Sequence, residues 1–319
     1  MFQVSVIICS HNPREDYLRR VLTALKAQTL LPNDWELLLI DNASKDPIEK
    51  RFDISWHPNA RFVREEKLGL THARLRGIAE CNGELLVFVD DDNVLRNDYL
   101  QACMKIGSEY PWLGAWGGSC IPEFEIEPPA ELRPWLAGLL IEKLTTSVWA
   151  KLPTCGAALP FGAGMVVRRS VAMHYREEVL RDPIRQALGR TGKKLAAGED
   201  SDMALCGFAL NLGTGRFPEL ELTHLISAGR LTLRYIEGLH EGFGYSGVVL
   251  RAIHDKSWKV NQGTIQPGTL KMLLLRMAML AQGKSHVERQ IRLAEERGQM
   301  AAMQELARLG YFDRPSNNS

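Results

Sequence analysis

Three consecutive acids, Asp90-Asp91-Asp92, close the apolar run Leu85-Leu86-Val87-Phe88-Val89 and are followed by Asn93. Carboxylate oxygens are hard ligands that suit Mg²⁺ or Mn²⁺, ions that usually complete their shell with water and substrate phosphates. Side chains alternate along an extended segment, which predicts Asp90 and Asp92 on one side and Asp91 on the other. Two like charges on one side of a strand end repel unless a cation lies between them. A solvated acidic turn is the competing reading, because Asp and Asn are ordinary turn residues. A second acidic group, Glu199-Asp200-Ser201-Asp202, follows Gly198 and opens a predicted helix. The helix dipole favours negative charge in a first turn, which accounts for one acid better than for three. His224 ends the alternating stretch Glu219–His224, where it is a candidate ligand or the cap of a strand end.

The elements that must position these groups read as alternating strands and helices. Leu85–Val89 is too short for a free-standing helix, follows Asn82-Gly83, and reads as a buried strand. Buried runs without alternation belong to sheets covered on both faces, where ligands collect beyond the carboxyl ends of the strands. Val4–Cys9 is a first strand, and Asn12-Pro13-Arg14-Glu15 predicts a helix start with Asn12 as cap. Leu18, Val21, Leu22 and Leu25 recur at helical spacing, and Trp35–Ile40 is a second strand. Strand, helix and strand in this order make a βαβ unit that closes right-handed into a parallel sheet. Further strands are predicted at Arg61–Arg64 and Met165–Arg168. Helices are predicted at Leu70–Cys81, about Asp98–Tyr110 and from Gly198, and the last stretch reads as helical. Residues 122–160 are rich in proline and loop, with a short helix expected around Trp135–Leu144; a long insertion of this kind is more often a lid than filler.

Composition narrows the function. The chain has 319 residues and a net charge of +1 with acids and bases interspersed, so it lacks a polyanion-binding signature and nucleic acid is not expected as a partner. The 6 cysteines are scattered without paired spacing, neither a zinc pattern nor a disulfide framework, and fit a reducing cytosol. No leader pattern is visible at residues 1–9, and no run of 18 apolar residues is long enough to span a membrane. The expected location is therefore cytoplasmic, with peripheral contact at the cytoplasmic membrane face through C-terminal helices. There is no G-x-G-x-x-G after the first strand and no G-x-x-x-x-G-K-[ST], which argues against a dinucleotide oxidoreductase and a P-loop enzyme.

Taken in order, Val4–Asn12, Leu39–Asp46, Leu68–Arg74, Asp90–Asp92, Gly162–Arg169, Gly198–Asp200 and His224 resemble the motifs of a family 2 glycosyltransferase of the GT-A fold. The resemblance is specific over residues 3–100 and 160–230 and weaker elsewhere. It implies an α/β fold with a Rossmann-like, mixed but mostly parallel central sheet flanked by helices. It also implies a catalytic domain over about residues 1–230, with a nucleotide-sugar half to about 120 and an acceptor half after it, and a helical C-terminal extension over 231–319. The implied activity is metal-dependent, inverting transfer from a nucleotide-diphosphate sugar, with a UDP-sugar ahead of TDP- or GDP-sugars. The acceptor would be a hydroxyl of a glycan or a lipid-linked sugar in cell-surface polysaccharide synthesis. Asp92 would bind the metal, Mn²⁺ or Mg²⁺, with Asp90 and His224 assisting. Ser10, His11, Asn12, Asp41, Lys67, Arg74, Asp90 and Asp91 would hold the donor, Asp41 accepting the imide N–H of the base. Asp200 would be the catalytic base, with Glu199 as its substitute. Ser10-His11-Asn12 and Asn42 depart from the usual family residues, but neither removes a group the mechanism requires. A sugar-phosphate nucleotidyltransferase and a non-catalytic nucleotide-sugar-binding scaffold are the rival readings; the first usually needs a Gly-rich basic loop that Ser10–Glu15 lacks.

Overall fold

The structure is a computed structural model that describes residues 2–153, 156–190, 196–255, 258 and 269–311. Strands β1 (Val4–Ser10), β2 (Trp35–Asn42), β3 (Ala60–Glu65) and β4 (Leu85–Asp90) alternate with helices α1 (Glu15–Lys26) and α2 (Leu70–Glu80). β1 pairs in parallel with both β2 and β4, and β2 with β3, giving the order β3-β2-β1-β4. The chain moves outward from β1 to β3 and then returns to the far side of β1 for β4. The loops leaving β1 and β4 therefore diverge, and a crevice opens between their carboxyl ends, the usual ligand position in such sheets. Cys9 is in register with Asp90 there, so the acids stand at that crevice.

The second half continues with β5 (Asn93–Leu95), α3 (Tyr99–Glu109), β6 (Leu113–Phe124), β7 (Val148–Ala150) and β8 (Val166–Arg168). Next come α4 (Arg169–Arg181), the short α5 (Pro183–Gln186), α6 (Glu199–Ala209) and β9 (Gly213–Ile226). The sheet extends as β4-β8-β6-β9-β5, with β7 on β9; β8 is antiparallel to both neighbours, whereas β6 and β9 are parallel. Helices α7 (Leu233–His254), α8 (Thr269–Ala281) and α9 (His286–Arg308) close the chain. Among the described residues no helix is long and apolar enough to cross a membrane.

The uninterrupted apolar strands reflect burial on both faces. Val4, Val6 and Ile8 pack with Leu18, Val21 and Leu25 of α1 and with Leu100 and Cys103 of α3. On the other face Ile7, Leu86 and Phe88 pack with Ile78 of α2, Val171 and Tyr175 of α4 and Met203 of α6. Each such fully buried aliphatic side chain contributes about 1.5–3 kcal/mol. Two smaller cores join the helical end to the rest. Leu132, Leu136 and Leu139 of the 122–160 insertion pack with Ile236, Leu239 and Ile291, while Ile184 and Leu188 pack with Val249, Ala302 and Leu306.

Several local expectations change in the structure. Asn12 does not cap α1, which starts at Glu15 with Arg14 at its cap position. Instead Asn12 adopts φ of +50° and clasps the loop after β2: its backbone N–H donates to Ser44 Oγ and its Oδ1 accepts from Lys45 N–H. The short helix of the insertion is a 3-10 segment at Arg133–Leu139. Arg168 and Arg169 donate to the backbone carbonyls of Leu113 and Cys81. Trp116 is fully buried in the core, whereas Trp149 is exposed.

Candidate active site

A cleft of about 260 Å³ opens where the sequence places its acids, lined by Ser10, His11 and Asp90–Asp92 on the sheet side and by Arg74, Glu199 and Asp200 on the helix side. Gly138–Leu140 of the insertion and Arg230, Tyr235 and Leu239 of the C-terminal segment complete the wall. Side-chain alternation reaches only as far as Asp90, because β4 ends there and Asp91 and Asp92 lie in a turn. Asn93 fixes that turn, with its Oδ1 accepting from Asp90 N–H (3.3 Å) and its Nδ2 donating to Asp92 Oδ1 (2.9 Å). The three carboxylates consequently fan out to three different partners.

Asp90 faces Arg74, 3.8 Å from its guanidinium. Asp91 accepts a short hydrogen bond from Ser10 Oγ, which ties the ends of β4 and β1 together. Asp92 is buried and faces Arg230, with Oδ2 2.9 Å from Arg230 Nη2 and 3.6 Å from His224 Nε2. His224 reaches this place because β5 pairs with β9 in the register Asn93–His224. Arg230 Nη1 also donates to His224 Nε2 at 2.8 Å, so the imidazole is a neutral acceptor there with its proton on Nδ1. Burial pushes the Asp90 and Asp91 carboxyls up, and the charge of Asp92 adds to both. Burial opposes the charge on Asp92 as well, but the Arg230 guanidinium outweighs it and holds Asp92 below the usual carboxylate range.

Arg74 is the hub of the helix side. It is buried in α2, its Nη1 lies 3.2 Å from Glu199 Oε1, and it bridges that first-turn acid of α6 to Asp90. Burial works against its charge, and Glu199, Asp90 and Asp200 together outweigh burial and keep it a cation. Asp200 projects into the cleft and is oriented by two backbone donors, Gly162 N–H to Oδ2 at 2.8 Å and Ser201 N–H to Oδ1 at 2.7 Å. Each carboxylate oxygen keeps a further lone pair, so Asp200 is aimed without being used up. Glycine at 162 permits this approach, since a Cβ there would lie 2.9 Å from Asp200 Oδ2 and 3.0 Å from Arg74 Nη2.

The remaining candidates divide. His11 Nδ1–H donates to the Asn42 carbonyl at 2.7 Å, and Asn42 in turn holds the loop before α2 by donating to Lys67 O and accepting from Gly69 N–H. Lys67 is exposed and enters this network through its backbone; its neighbour Leu68 lines the cleft. Asp41 is buried at the end of β2, and both its oxygens already accept from protein donors. Ser44 N–H is 3.0 Å from Oδ1, and Ile48 N–H at 3.2 Å and Arg64 at 2.7 Å serve Oδ2. Arg190, Arg230 and Tyr235 are among the cleft residues that the sequence reading did not single out. The only sequence signal for Arg230 was its place shortly after His224.

For a divalent ion the donor set is short. Among the described residues no group of three or more His, Cys, Asp or Glu side chains is arranged to hold a metal. Asp92 Oδ2 and His224 Nε2 present a carboxylate oxygen and an imidazole lone pair 3.6 Å apart. That is somewhat wider than the roughly 3 Å between adjacent donors around an ion with bonds of about 2.1 Å. The pair suits an ion that takes the rest of its shell from substrate phosphates and water, and it suits Mn²⁺ better than Mg²⁺ because of the imidazole.

Comparison with known proteins agrees with this geometry. Residues 5–118 match the family described as Glycosyl transferase family 2. The Haloferax volcanii protein named Glycosyltransferase AglE is 33% identical over 92 residues, covering 28% of this chain and 30% of its own. Glycosyltransferase GlyA of Streptococcus pneumoniae is 30% identical over 111 residues, covering 34% of this chain and 15% of its own. The chain thus spans less than a third of the length of these curated relatives. The crystal structure of S. aureus TarS 1–349 superimposes with a TM-score of 0.51 at 12% identity, covering 97% of this chain and 92% of that one. That likeness extends to the whole fold, C-terminal helices included. A second crystal structure of TarS 1–349, in complex with UDP-GlcNAc, superimposes equally, with a TM-score of 0.51 at 13% identity and coverage of 97% and 92%. The sheet order, the acids at the crevice and the matched profile agree, and residues 5–118 are similar to the family described as Glycosyl transferase family 2.

Proposed function

We propose that the cleft takes a nucleotide-diphosphate sugar and that the protein is an inverting glycosyltransferase. The observation that carries this reading is the convergence of Asp90–Asp92 and Asp200 on one cleft at the crevice between β1 and β4. Ser10, His11 and Asn12 stand where a base and ribose would lie. Asp41 keeps a spare lone pair only on Oδ1, which accepts from Ser44 N–H alone, and would reach a base through it. A UDP-sugar leads the donor candidates because TarS, of the same fold, is solved with UDP-GlcNAc. Asp200 takes the proton of an acceptor hydroxyl, whose oxygen bonds to the anomeric carbon. The bond from that carbon to the diphosphate oxygen breaks on the opposite side, and its electron pair leaves with the diphosphate. One base acting without a covalent intermediate inverts the anomeric centre. Glu199 cannot easily exchange roles with Asp200, since it is buried against Arg74. Asp92 and His224 would hold a divalent ion, with Asp90 beside them turned toward Arg74, and the ion would supply positive charge to the departing diphosphate.

The acceptor is proposed to be a glycan or lipid-linked hydroxyl at a membrane face. Residues 256–287 contain Lys256, Lys259, Lys271, Arg276 and Lys284 and no acid, and α8 within them exposes Met277 and Leu280. Basic charge beside exposed apolar side chains suits an anionic bilayer surface.

Release of nucleoside diphosphate from a panel of UDP-, TDP- and GDP-sugars tests the assignment. The wild type is expected to turn over one base class, and Asp200→Asn to lose about 10²–10⁴ of the rate while still binding donor. Undiminished turnover in Asp200→Asn would remove the base assignment. Donor binding without turnover in the wild type would favour a scaffold.

A further inference from the structure

Arg230 occupies the position a metal ion would need. Its guanidinium donates to Asp92 Oδ2 (2.9 Å) and to His224 Nε2 (2.8 Å), the pair of electron-pair donors assigned above to a divalent cation. Both acceptors are buried, each 6% exposed, and Arg230 is itself mostly buried against Asp92. A fork of two N–H groups and a metal ion cannot use the same carboxylate and imidazole lone pairs together. Burial also matters: an ion taken into this corner beside the guanidinium would meet an uncompensated positive charge in a place of weak screening.

We propose that Arg230 is an internal counter-cation that competes with the divalent ion for Asp92 and His224, so that the metal binds well only together with a diphosphate. The inference rests on the donor-site reading above and deepens it. A diphosphate brings two things that relieve the competition. It adds the oxygens that the sparse Asp92–His224 pair lacks, and it offers the released guanidinium a charged, bidentate partner. Arg230 stands on the 3-10 turn Ala228–Arg230, within reach of the ring of Tyr235 (6.0 Å), at the cleft wall, so release needs only a side-chain swing. The chain thereby gains a reason to keep its metal site closed until donor arrives, and metal and nucleotide bind with positive coupling.

The test is a Mn²⁺ titration followed by the EPR signal of free ion, on the full-length protein without nucleotide and then with UDP, TDP or GDP. Arg230→Gln is expected to bind Mn²⁺ alone at least about tenfold more tightly than wild type, and Arg230→Lys to fall between them. In the wild type the active diphosphate is expected to tighten Mn²⁺ by at least about tenfold, and in Arg230→Gln by clearly less. Asp92→Asn should bind no Mn²⁺ in either condition. Unchanged or weaker Mn²⁺ binding in Arg230→Gln, or no Mn²⁺ binding in any variant, overturns the proposal, with thermal melts showing that each variant is folded. The two readings fail separately. Absence of nucleotide binding with tighter Mn²⁺ in Arg230→Gln sinks the donor site alone, and nucleotide binding with unchanged Mn²⁺ sinks the competition alone.

Discussion

Arg74 is buried with Glu199 and Asp90 as its counter-charges, so removing it strands the buried Glu199 carboxylate and leaves Asp90, open to the cleft, without its cation. Breaking a buried pair from one side typically costs 3–5 kcal/mol. Arg74→Met is therefore expected to lose about 3–5 kcal/mol in urea unfolding, and Glu199→Gln added to it should recover part of the loss through their coupling. Gly162 makes a contrasting case. Its backbone φ suits other residues, but a Cβ there presses on Asp200 Oδ2 at 2.9 Å. Gly162→Ala is expected to lower turnover by about tenfold to a hundredfold, the cost of displacing a reacting group by about an ångström. Its stability should change by less than about 1 kcal/mol. A rate that is unchanged would show that Asp200 does not need this seat. At this scale Asp90–Asp92 and Asp200 were legible as clustered acids ahead of an element boundary. Their partners were not, since Arg74 and Arg230 meet them only through strand order and the β5–β9 register.

Helix α6 shows why three neighbouring acids have three destinations. Successive residues of a helix turn by about 100°, so Glu199 points to Arg74, Asp200 to the cleft and Asp202 away from both. Asp202 is fully buried and accepts from Arg185 of α5 and from His254 Nε2 (2.7 Å) at the end of α7. The helix that carries the proposed base is thus bolted to the C-terminal helices through the residue two positions on. Asp202→Asn leaves Arg185 buried without its main anion and is expected to cost about 3–5 kcal/mol, read as a lower melting temperature. A melting temperature equal to wild type would mean that the α6–α7 tie carries no weight. The strands were legible because parallel strands buried on both faces read as unbroken apolar runs. The Asn12 cap was not, because Asn, Pro and Glu mark a helix start equally well when the asparagine is used elsewhere, here by Ser44 and Lys45. Likewise β9 runs from Gly213 to Ile226, but only its Glu219–His224 part alternates enough to be seen.

Across the whole molecule the cores formed by the insertion, α7 and α9 make the catalytic unit and the helical extension interdependent. We propose that α7 and α9 fold onto the rest of the chain and do not stand alone. Global stability should also depend on pH through His57, which is buried against Trp35 and accepts from Asn59 N–H on Nδ1. Burial lowers its pKa from 6.5 to about 4. The folded state therefore favours the neutral ring, so the stability it supplies is complete above about pH 6.5 and is lost as pH falls toward 4. Unfolding at stepped pH should show this slope, and His57→Gln should flatten it between those limits. At the membrane scale, co-sedimentation with vesicles containing phosphatidylglycerol is expected to exceed that with neutral vesicles and to fall with Lys271→Glu and Arg276→Glu together. Equal binding to both vesicle types would remove the charge argument. The central claim, a nucleotide-sugar site at the β1–β4 crevice, is reached most directly by a melting-temperature panel with UDP, TDP, GDP and CMP, each with Mn²⁺ and with chelator, on wild type and Asp92→Asn. A ligand that binds only the folded state raises the melting temperature by mass action. The predicted result is metal-dependent stabilisation by one nucleoside diphosphate that disappears in Asp92→Asn. Absence of a shift with every nucleotide, in either metal condition, would contradict the donor site and the transferase reading with it.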